Sequence, residues 1–146
     1  CFAIKYIRSE TNQKAERERE YPTTYRRTKE SLIPKKIHYC WFGKGEIPDQ
    51  NKRWMESWSK YCPDYEIIRW DESNFDVTKN KYMNEAYQAG KWGFVPDYAR
   101  MDITYNNGGI YLDTDVELLK NLDELLYQHA FAGVDGSKNI NLVVGF

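Results

Sequence analysis

Two acidic residues with one residue between them, Asp113 and Asp115, follow directly after the apolar run 110–112. A pair of glycines, Gly108 and Gly109, precedes that run. In an extended segment, side chains at positions i and i+2 point to the same side, so we expect the two carboxylates to converge. A divalent cation would relieve their repulsion, and hard oxygen ligands favour Mg²⁺ or Mn²⁺. The alternative is a pair of solvated loop acids.

Two further groups of residues could bind a ligand. Asp97 and Arg100 are three residues apart near the start of a predicted helix, so we expect them to share one face. The aspartate could accept hydrogen bonds from sugar hydroxyls, and the guanidinium could donate to a phosphorylated ligand. An ordinary surface ion pair is the alternative. Trp41 ends the first apolar run before Gly43 and could stack on a nucleobase, with a core or rim position as its alternative.

The histidines and cysteines predict no metal site of their own. His38 lies within a predicted strand and His129 beside an apolar run, without cysteine or carboxylate at ligand spacing, so we expect both to be structural. Cys1, Cys40 and Cys62 form no CxxC pair, which predicts a reducing compartment and no structural zinc. Four aromatic residues fit the buried faces of predicted helices: Trp54, Trp58, Tyr82 and Tyr87.

The elements that must position these residues alternate between strands and helices, which is the α/β pattern. Glycine, proline and aspartate separate the elements at the places where helices and strands should begin or end. The predicted strands are 36–42, 65–70, 110–112, 131–132 and 142–144, and the predicted helices are 48–62, 81–89, 95–107 and 122–127. In open α/β sheets, ligands bind beyond the carboxyl ends of the strands. Both Trp41 and the Asp113 to Asp115 pair are predicted to lie at that edge.

Composition limits the classes of function that remain. The chain has 146 residues, 41% of them hydrophobic, and a formal net charge of -1, so a globally basic nucleic-acid-binding protein is not expected. No apolar run is long enough to cross a membrane. Residues 1–31 are dense in charge and are predicted to be an appendage or linker from a preceding region, while the α/β pattern occupies 32–146. We expect the chain to be part of a longer protein.

Four motifs in order resemble a known family: 33–43 (IPKKIHYCWFG), 70–71 (WD), 97–100 (DYAR) and 108–115 (GGIYLDTD). Together they are similar to the glycosyltransferases with a DXD-containing sugar-binding region, the family 32 type. That family includes mannosyltransferases and bacterial capsular-polysaccharide transferases, and it is more distantly similar to the clostridial glucosylating toxins. The resemblance implies a GT-A fold, in which helices flank a mostly parallel, Rossmann-like sheet. It also implies a UDP- or GDP-sugar donor, Mn²⁺ or Mg²⁺, and retention of anomeric configuration.

Carried over to this sequence, the resemblance gives each candidate residue a role. It implies that Trp41 lies against the nucleobase, and that Asp97 and Arg100 hold the sugar of the donor. It further implies that Asp113 contacts the ribose and the water shell of the metal, and that Asp115 binds the metal directly. The acceptor would be a glycan or polysaccharide, with capsular-polysaccharide biosynthesis as the expected process. We expect a cytoplasmic protein that could associate peripherally with the inner face of the membrane.

The position of Asp115 close to Phe146 departs from the family, whose members continue well beyond this motif. We therefore expect 32–146 to be the N-terminal, sugar-donor-binding part of the catalytic domain, truncated before the acceptor site, so that turnover is in doubt. Two alternatives remain open at this point. One is a haloacid-dehalogenase-type phosphohydrolase with Asp113 as nucleophile and Asp115 as general acid. The other is a fragment that binds a nucleotide sugar without turning it over.

Overall fold

The computed structural model describes residues 29–132, together with the backbone of two further strands. In chain order the strands are β1 (Ile7–Ser9), β2 (Lys36–Cys40), β3 (Glu66–Trp70), β4 (Ile110–Tyr111), β5 (Val116–Leu118), β6 (Phe131–Ala132) and β7 (Val144–Gly145). The helices are α1 (Asp49–Tyr61), α2 (Lys81–Gln88) and α3 (Pro96–Asn107), with 3₁₀ turns at Val77–Lys79 and Asp123–Tyr127. The remaining part of the predicted strand 142–144 lies outside the described residues.

The main sheet has five strands in the order β3-β2-β4-β7-β6. Strand β2 runs parallel to both neighbours, β3 and β4, whereas β7 runs antiparallel to β4 and β6. Four of the five strands in this sheet therefore point the same way, which confirms the prediction of a mostly parallel α/β sheet. A separate two-stranded ribbon pairs β1 with β5, so a strand from the charged segment 1–31 contacts the chain just after the Asp113 to Asp115 pair.

Helices cover both faces of the sheet because neighbouring residues of a strand point to opposite sides. Ile110 of β4 belongs to an apolar cluster with Trp58 of α1, while the next residue, Tyr111, belongs to a second cluster with Ala99 and Ile103 of α3. Both clusters are buried from solvent. The sheet is thus the middle layer of three, and α1 and α3 are fixed on opposite sides of it.

His38 is structural, as its position in the sequence predicts. It is fully buried on β2, where its Nε2–H donates to the carbonyl oxygen of Gly108 at 2.8 Å and its Nδ1 accepts from the indole N–H of Trp70 at 3.1 Å. Because an indole nitrogen can only donate, Nδ1 must be the acceptor and the imidazole hydrogen lies on Nε2. This neutral ring joins β2 to β3 and to the end of α3. The exposed His129 belongs to no metal-binding cluster among the described residues.

The predicted core aromatics are buried with one exception. Trp54 and Trp58 are buried on α1, and Tyr87 is partly buried against the second cluster. Tyr82 is wrongly predicted as a core residue, because half of it is exposed and its hydroxyl reaches across to α3. In α2, Met83 and Ala86 take the buried positions that the helical pattern also allowed Tyr82 to occupy. No helix among the described residues is long and apolar enough to span a bilayer.

Candidate functional site

The candidate site lies where β2, β3 and β4 end at the same edge of the sheet. Cys40 at the end of β2 is in register with Trp70 at the end of β3, and the backbone N–H of Leu112 donates to the carbonyl oxygen of His38 at 3.0 Å. Trp41 therefore leaves the sheet beside β3, and Asp113 leaves it one strand away. Because these strands run parallel, their carboxyl ends lie at one edge of the sheet and bring these segments together, as the sequence predicts.

The segment after β4 is a tight turn. The backbone N–H of Val116 donates to the carbonyl oxygen of Asp113 at 3.1 Å, so the expectation of an extended segment here is wrong. The residue between the two acids, Thr114, is buried, and its hydroxyl accepts from the Asn51 side-chain amide of α1 at 3.0 Å. Turning at Thr114 lets the chain enter β5 directly. The anchored threonine fixes the backbone between Asp113 and Asp115.

Arg100 connects α3 to this turn. One of its terminal nitrogens donates to Asp97 at 3.1 Å, and the other donates to Asp113 at 3.4 Å. Its Nε–H also donates to the carbonyl oxygen of Pro96 at 3.2 Å, which holds the guanidinium against the first turn of the helix. Only 14% of the Arg100 side chain is exposed, so both ion pairs are partly withdrawn from water. The structure thus joins three of the predicted residues in one contiguous set of contacts.

Tyr111 contacts both Arg100 and Asp113. Its ring lies 5.3 Å from the Arg100 guanidinium carbon, and its hydroxyl donates to Asp113 at 3.2 Å. The ring is fully buried, and burial raises the pKa of its hydroxyl well above the usual value, so this group remains a donor at neutral pH. Burial also raises the pKa of the neighbouring Cys40 thiol to about 12. Cys40 therefore stays protonated and is not a nucleophile.

Burial also raises the pKa of Asp113 above its ordinary value, and the charge of Asp115 acts in the same direction. Arg100 and the hydrogen bond from Tyr111 act against this rise. Asp113 and Asp115 are separated by one residue in this turn, and the negative charge of Asp115 disfavours ionisation of Asp113. An additional positive charge beside them would lower the cost of holding both ionised.

Trp41 lies at the same edge of the sheet, in a loop whose hydrogen bonds do not involve Arg100. Its backbone N–H donates to the carbonyl oxygen of Trp70 at 2.9 Å, and its indole N–H donates to that of Gly45 at 2.7 Å. The backbone N–H of Gly43 donates to the Glu72 carboxylate at 2.7 Å. These contacts fix a half-buried indole on the ligand side of β2. They run within the loop and to the segment after β3, and not to Arg100.

Four residues of the site were not identified from the sequence. Tyr111 could have been found, because it alternates with Ile110 in the strand that leads into the acidic turn. Tyr82, whose hydroxyl donates to Asp97 at 3.2 Å, had no comparable local signal. Asn51 on α1 and Glu72 after β3 also lacked a local signal in the sequence, since their contacts join segments that are distant in the chain.

The acidic turn carries oxygen ligands of the type that Mg²⁺ and Mn²⁺ prefer. Mg²⁺-type sites commonly take one or two protein carboxylates, with water and substrate phosphate completing the shell. Asp113 and Asp115 offer such a pair, in which mutual repulsion favours a cation. Among the described residues, no group of three or more His, Cys, Asp or Glu side chains could hold a metal. Two carboxylates alone would need further ligands, such as water or phosphate oxygens, to complete the shell of a metal.

The fold and the acidic edge of the sheet define the class of protein. The structure resembles that of the PaToxG glycosyltransferase with a TM-score of 0.53 and 22% sequence identity, over 62% of this chain and 45% of that one. This similarity shows that the chain has a glycosyltransferase fold. It confirms the fold class predicted from the ordered motifs.

The sequence gives the family. Residues 48–132 match the glycosyltransferase sugar-binding region containing a DXD motif, and the chain belongs to that family. It is 36% identical over 121 residues to inositol phosphoceramide mannosyltransferase 3 of Schizosaccharomyces pombe, covering 80% of this chain and 34% of that protein. It is 32% identical over 107 residues to mannosyl phosphorylinositol ceramide synthase SUR1 of Saccharomyces cerevisiae, covering 70% of this chain and 28% of that protein.

A bacterial relative, the subversion of eukaryotic traffic protein A of Legionella pneumophila, is 28% identical over 114 residues and is covered over 18% of its length. The chain therefore spans about a third or less of these curated relatives. Family membership confirms the resemblance drawn from the four motifs. It leaves the phosphohydrolase alternative without support.

Proposed function

We propose that this chain is the sugar-donor-binding part of a glycosyltransferase. The enzyme transfers a hexose from a UDP- or GDP-sugar to a glycan or polysaccharide acceptor, with retention of anomeric configuration. The relatives named as mannosyltransferases make mannose the first sugar to test. Because the chain spans a minor part of those relatives, the proposal assigns it the binding of the sugar donor and leaves the acceptor site to the rest of the domain.

The observation that carries this proposal is the contact of Arg100 with both Asp97 and Asp113. It supports a single site that begins at the first turn of α3 and ends at the acidic turn after β4. Carboxylate oxygens beside a guanidinium suit a ligand that has hydroxyl groups at one end and phosphate at the other. A nucleotide sugar has that arrangement, with the sugar attached directly to the diphosphate.

Within this site each residue has a distinct task. Asp113 and Asp115 would hold Mn²⁺ or Mg²⁺, which when bound neutralises the diphosphate and makes it a better leaving group. Asp97 accepts hydrogen bonds from sugar hydroxyls, and Tyr82 orients this carboxylate from α2. Arg100 donates to the oxygen atoms on which negative charge develops as the glycosidic bond breaks. Tyr111 keeps Arg100 and Asp113 in place.

No residue is assigned as a general base. In a retaining transfer where the acceptor hydroxyl attacks from the face of the leaving group, a phosphate oxygen of the leaving diphosphate can take the proton. Trp41 is assigned to the nucleobase, since its half-buried indole lies at the ligand edge and its loop is fixed to β3.

The experiment is titration calorimetry of the chain with UDP-glucose, UDP-galactose and GDP-mannose, each with Mn²⁺, with Mg²⁺ and with EDTA. We expect at least one nucleotide sugar to bind only when a metal is present. The Asp115→Ala variant should lose this binding by tenfold or more, because an ionised ligand of the metal is removed.

The matched control is Asp64→Ala. Asp64 is an exposed carboxylate paired with Lys35, before β3 begins, and thus at the opposite edge of the sheet. Its removal should leave affinity for the nucleotide sugar unchanged. Equal binding with metal and with EDTA, or undiminished binding by Asp115→Ala, would overturn the proposal. Release of phosphate from simple phosphomonoesters would favour the phosphohydrolase instead.

A further inference from the structure

A groove of about 430 Å³ lies between the segment after β3 and the C-terminal half of α3. The rings of Trp70 and Phe75 line it on one side, and Asp102, Asn106 and Asn107 line it from the helix. Its volume is within the range of about 300–1,000 Å³ that is typical of small-ligand sites. None of the residues assigned to the nucleotide sugar lines it.

The groove is separated from the donor site along the helix axis. Asn106 and Asn107 lie six and seven residues beyond Arg100, which is about 10 Å along α3. Asp102, which also lines the groove, is paired with Lys79 at 2.7 Å and does not contact Arg100. A ligand in the groove would therefore be bound by different side chains from those that bind the nucleotide sugar.

The ionisable residues that line the groove are one lysine and two aspartates, so the groove carries no excess of positive charge. Lys79 and Asp102 form an ion pair, and the carboxylate of Asp76 accepts hydrogen bonds from the N–H and hydroxyl of Thr78 within its own turn. No unpaired cation among the lining residues is available to hold a phosphate or another anion. A nucleotide or a phosphorylated lipid headgroup is therefore a poor match for this groove.

The polar groups suit hydroxyls. Asn106 and Asn107 each donate one side-chain amide hydrogen to the backbone carbonyl oxygen four residues earlier in α3. Their Oδ1 atoms can accept hydrogen bonds from a ligand. The ammonium of Lys79 has three hydrogens, of which the ion pair uses one, and it can donate the others. A sugar hydroxyl both donates and accepts, so it can satisfy both kinds of group at once.

The aromatic surface that the groove offers to a sugar ring comes mainly from the half-buried Trp70, because Phe75 is only 9% exposed. Trp70 and Phe75 meet edge to face with centroids 6.1 Å apart, and the indole N–H of Trp70 is already used by His38. The indole therefore contributes apolar surface rather than a hydrogen bond. Aromatic surface on one side and hydrogen-bonding groups on the other match a hexose, which has an apolar C–H face and a hydroxyl rim.

We propose that this groove is a second saccharide site, which binds one hexose unit of a glycan independently of nucleotide and metal. Binding of a hexose stands on the groove alone. Its use, to retain the acceptor or product glycan beside the donor site, rests on the proposed function. The geometry gives α3 two roles, with its first turn in the donor site and its last two turns in the saccharide site.

The test is an NMR titration of the ¹⁵N-labelled chain with mannotriose and with maltotriose, without nucleotide or metal. We expect a dissociation constant of about 1 mM, with shifts at the side-chain amides of Asn106 and Asn107 and at the indole N–H of Trp70. Signals of the acidic turn should not move. Absence of shifts in the groove up to about 20 mM of either sugar would overturn the proposal.

Two variants test whether the trisaccharide binds in this groove. The double variant Asn106→Ala and Asn107→Ala should weaken trisaccharide binding about tenfold, and it should fold because alanine favours helix at these exposed positions. Tyr105→Ala is the matched control, since Tyr105 is on the same helix, is 85% exposed and does not line the groove. Unchanged binding by the double variant, or an equal loss in Tyr105→Ala, would contradict the proposal.

Two further measurements distinguish failure of this proposal from failure of the proposed function, and a saccharide site from an anion site. Asp115→Ala should lose the metal-dependent binding of nucleotide sugar and keep trisaccharide binding. If wild type fails to bind nucleotide sugars but the groove binds trisaccharide, the proposed function fails and the saccharide site stands. If inorganic phosphate displaces the trisaccharide or produces the same shifts, the groove is an anion site and the proposal is wrong.

Discussion

At the scale of single residues, the site depends on how Arg100 is shared between two carboxylates. The planar guanidinium reaches Asp97 with one nitrogen and Asp113 with the other, and its Nε–H is fixed by Pro96. A lysine carries the same charge on one compact ammonium and lacks this forked geometry. The side chain therefore sets both the charge and the shape of the site.

We predict that Arg100→Lys weakens metal-dependent binding of the nucleotide sugar by about tenfold or more, because charge-assisted hydrogen bonds to two fixed carboxylates cannot both be kept. Titration calorimetry with the nucleotide sugar and Mn²⁺ measures the change. Arg53→Lys, the same substitution at an exposed position of α1, is the control and should bind as wild type does. Wild-type affinity in Arg100→Lys would show that Arg100 does not contact the ligand.

Trp41 allows the nucleobase to be tested apart from the diphosphate. Stacking of a base on an aromatic side chain contributes about 1–3 kcal/mol, so Trp41→Ala should weaken nucleotide-sugar binding by roughly tenfold to a hundredfold. Affinity for pyrophosphate with Mn²⁺ should not change, because that ligand has no base. Fluorescence or calorimetric titration gives both constants. A parallel loss for pyrophosphate would indicate that the variant disturbs the loop rather than a stacking contact.

At the scale of elements, the turn between α3 and β4 decides where the acidic turn lies. Gly109 has a φ of +94°, and a Cβ there would lie 2.9 Å from the carbonyl oxygen of Lys36 and 3.0 Å from Nε2 of His38. Only glycine combines this backbone conformation with such close approach to β2. The two glycines allow α3 to end and β4 to pair with β2 without an intervening loop.

We predict that Gly109→Ala lowers the free energy of unfolding by about 1–3 kcal/mol, since the new methyl group meets backbone and the conformation is strained. Urea denaturation followed by circular dichroism measures the loss. Gly45→Ala is the control, because nothing lies within 4 Å of a Cβ at that position. An equal stability of the two variants would contradict this account of the turn.

At the scale of the whole molecule, the stability of the fold is coupled to pH through His38. Burial lowers the pKa of this imidazole below its ordinary value of 6.5, and the indole N–H of Trp70 occupies the nitrogen that would take the second proton. The unfolded chain takes up a proton as the pH falls through 6.5, whereas the folded chain does so only at lower pH. Protonation therefore favours the unfolded state, and stability falls in that direction.

We predict that between pH 6.5 and pH 5.5 the free energy of unfolding falls by up to ~1 kcal/mol through this group. His38→Gln should flatten the slope over that window even if it lowers stability at every pH. His129→Gln removes an exposed imidazole and should leave the slope unchanged. Urea denaturation at several pH values gives the slopes, and an unaltered slope in His38→Gln would contradict the prediction.

Local patterns in the sequence were sufficient to predict the order of elements and the acidic pair. The three α-helices and strands β2 to β4 lie within a few residues of their predicted bounds, because their caps, prolines and glycines act locally. The set of four motifs was also sufficient to predict the family. The tight turn at Thr114 and the exposed position of Tyr82 were not predicted, because each depends on which side of its element meets a neighbour.

By itself, then, the sequence determined the α/β class, the place of Asp113 and Asp115 after a buried strand, and membership of a glycosyltransferase family. Only the tertiary structure decided that Arg100 joins Asp97 to Asp113, that Trp70 holds His38, and that a polar groove lies along the far half of α3. The physical reason is that these features bring together residues up to 37 positions apart, as Trp70 and Asn107 are in the groove. Such contacts follow from strand register and helix packing, which no short stretch of sequence encodes.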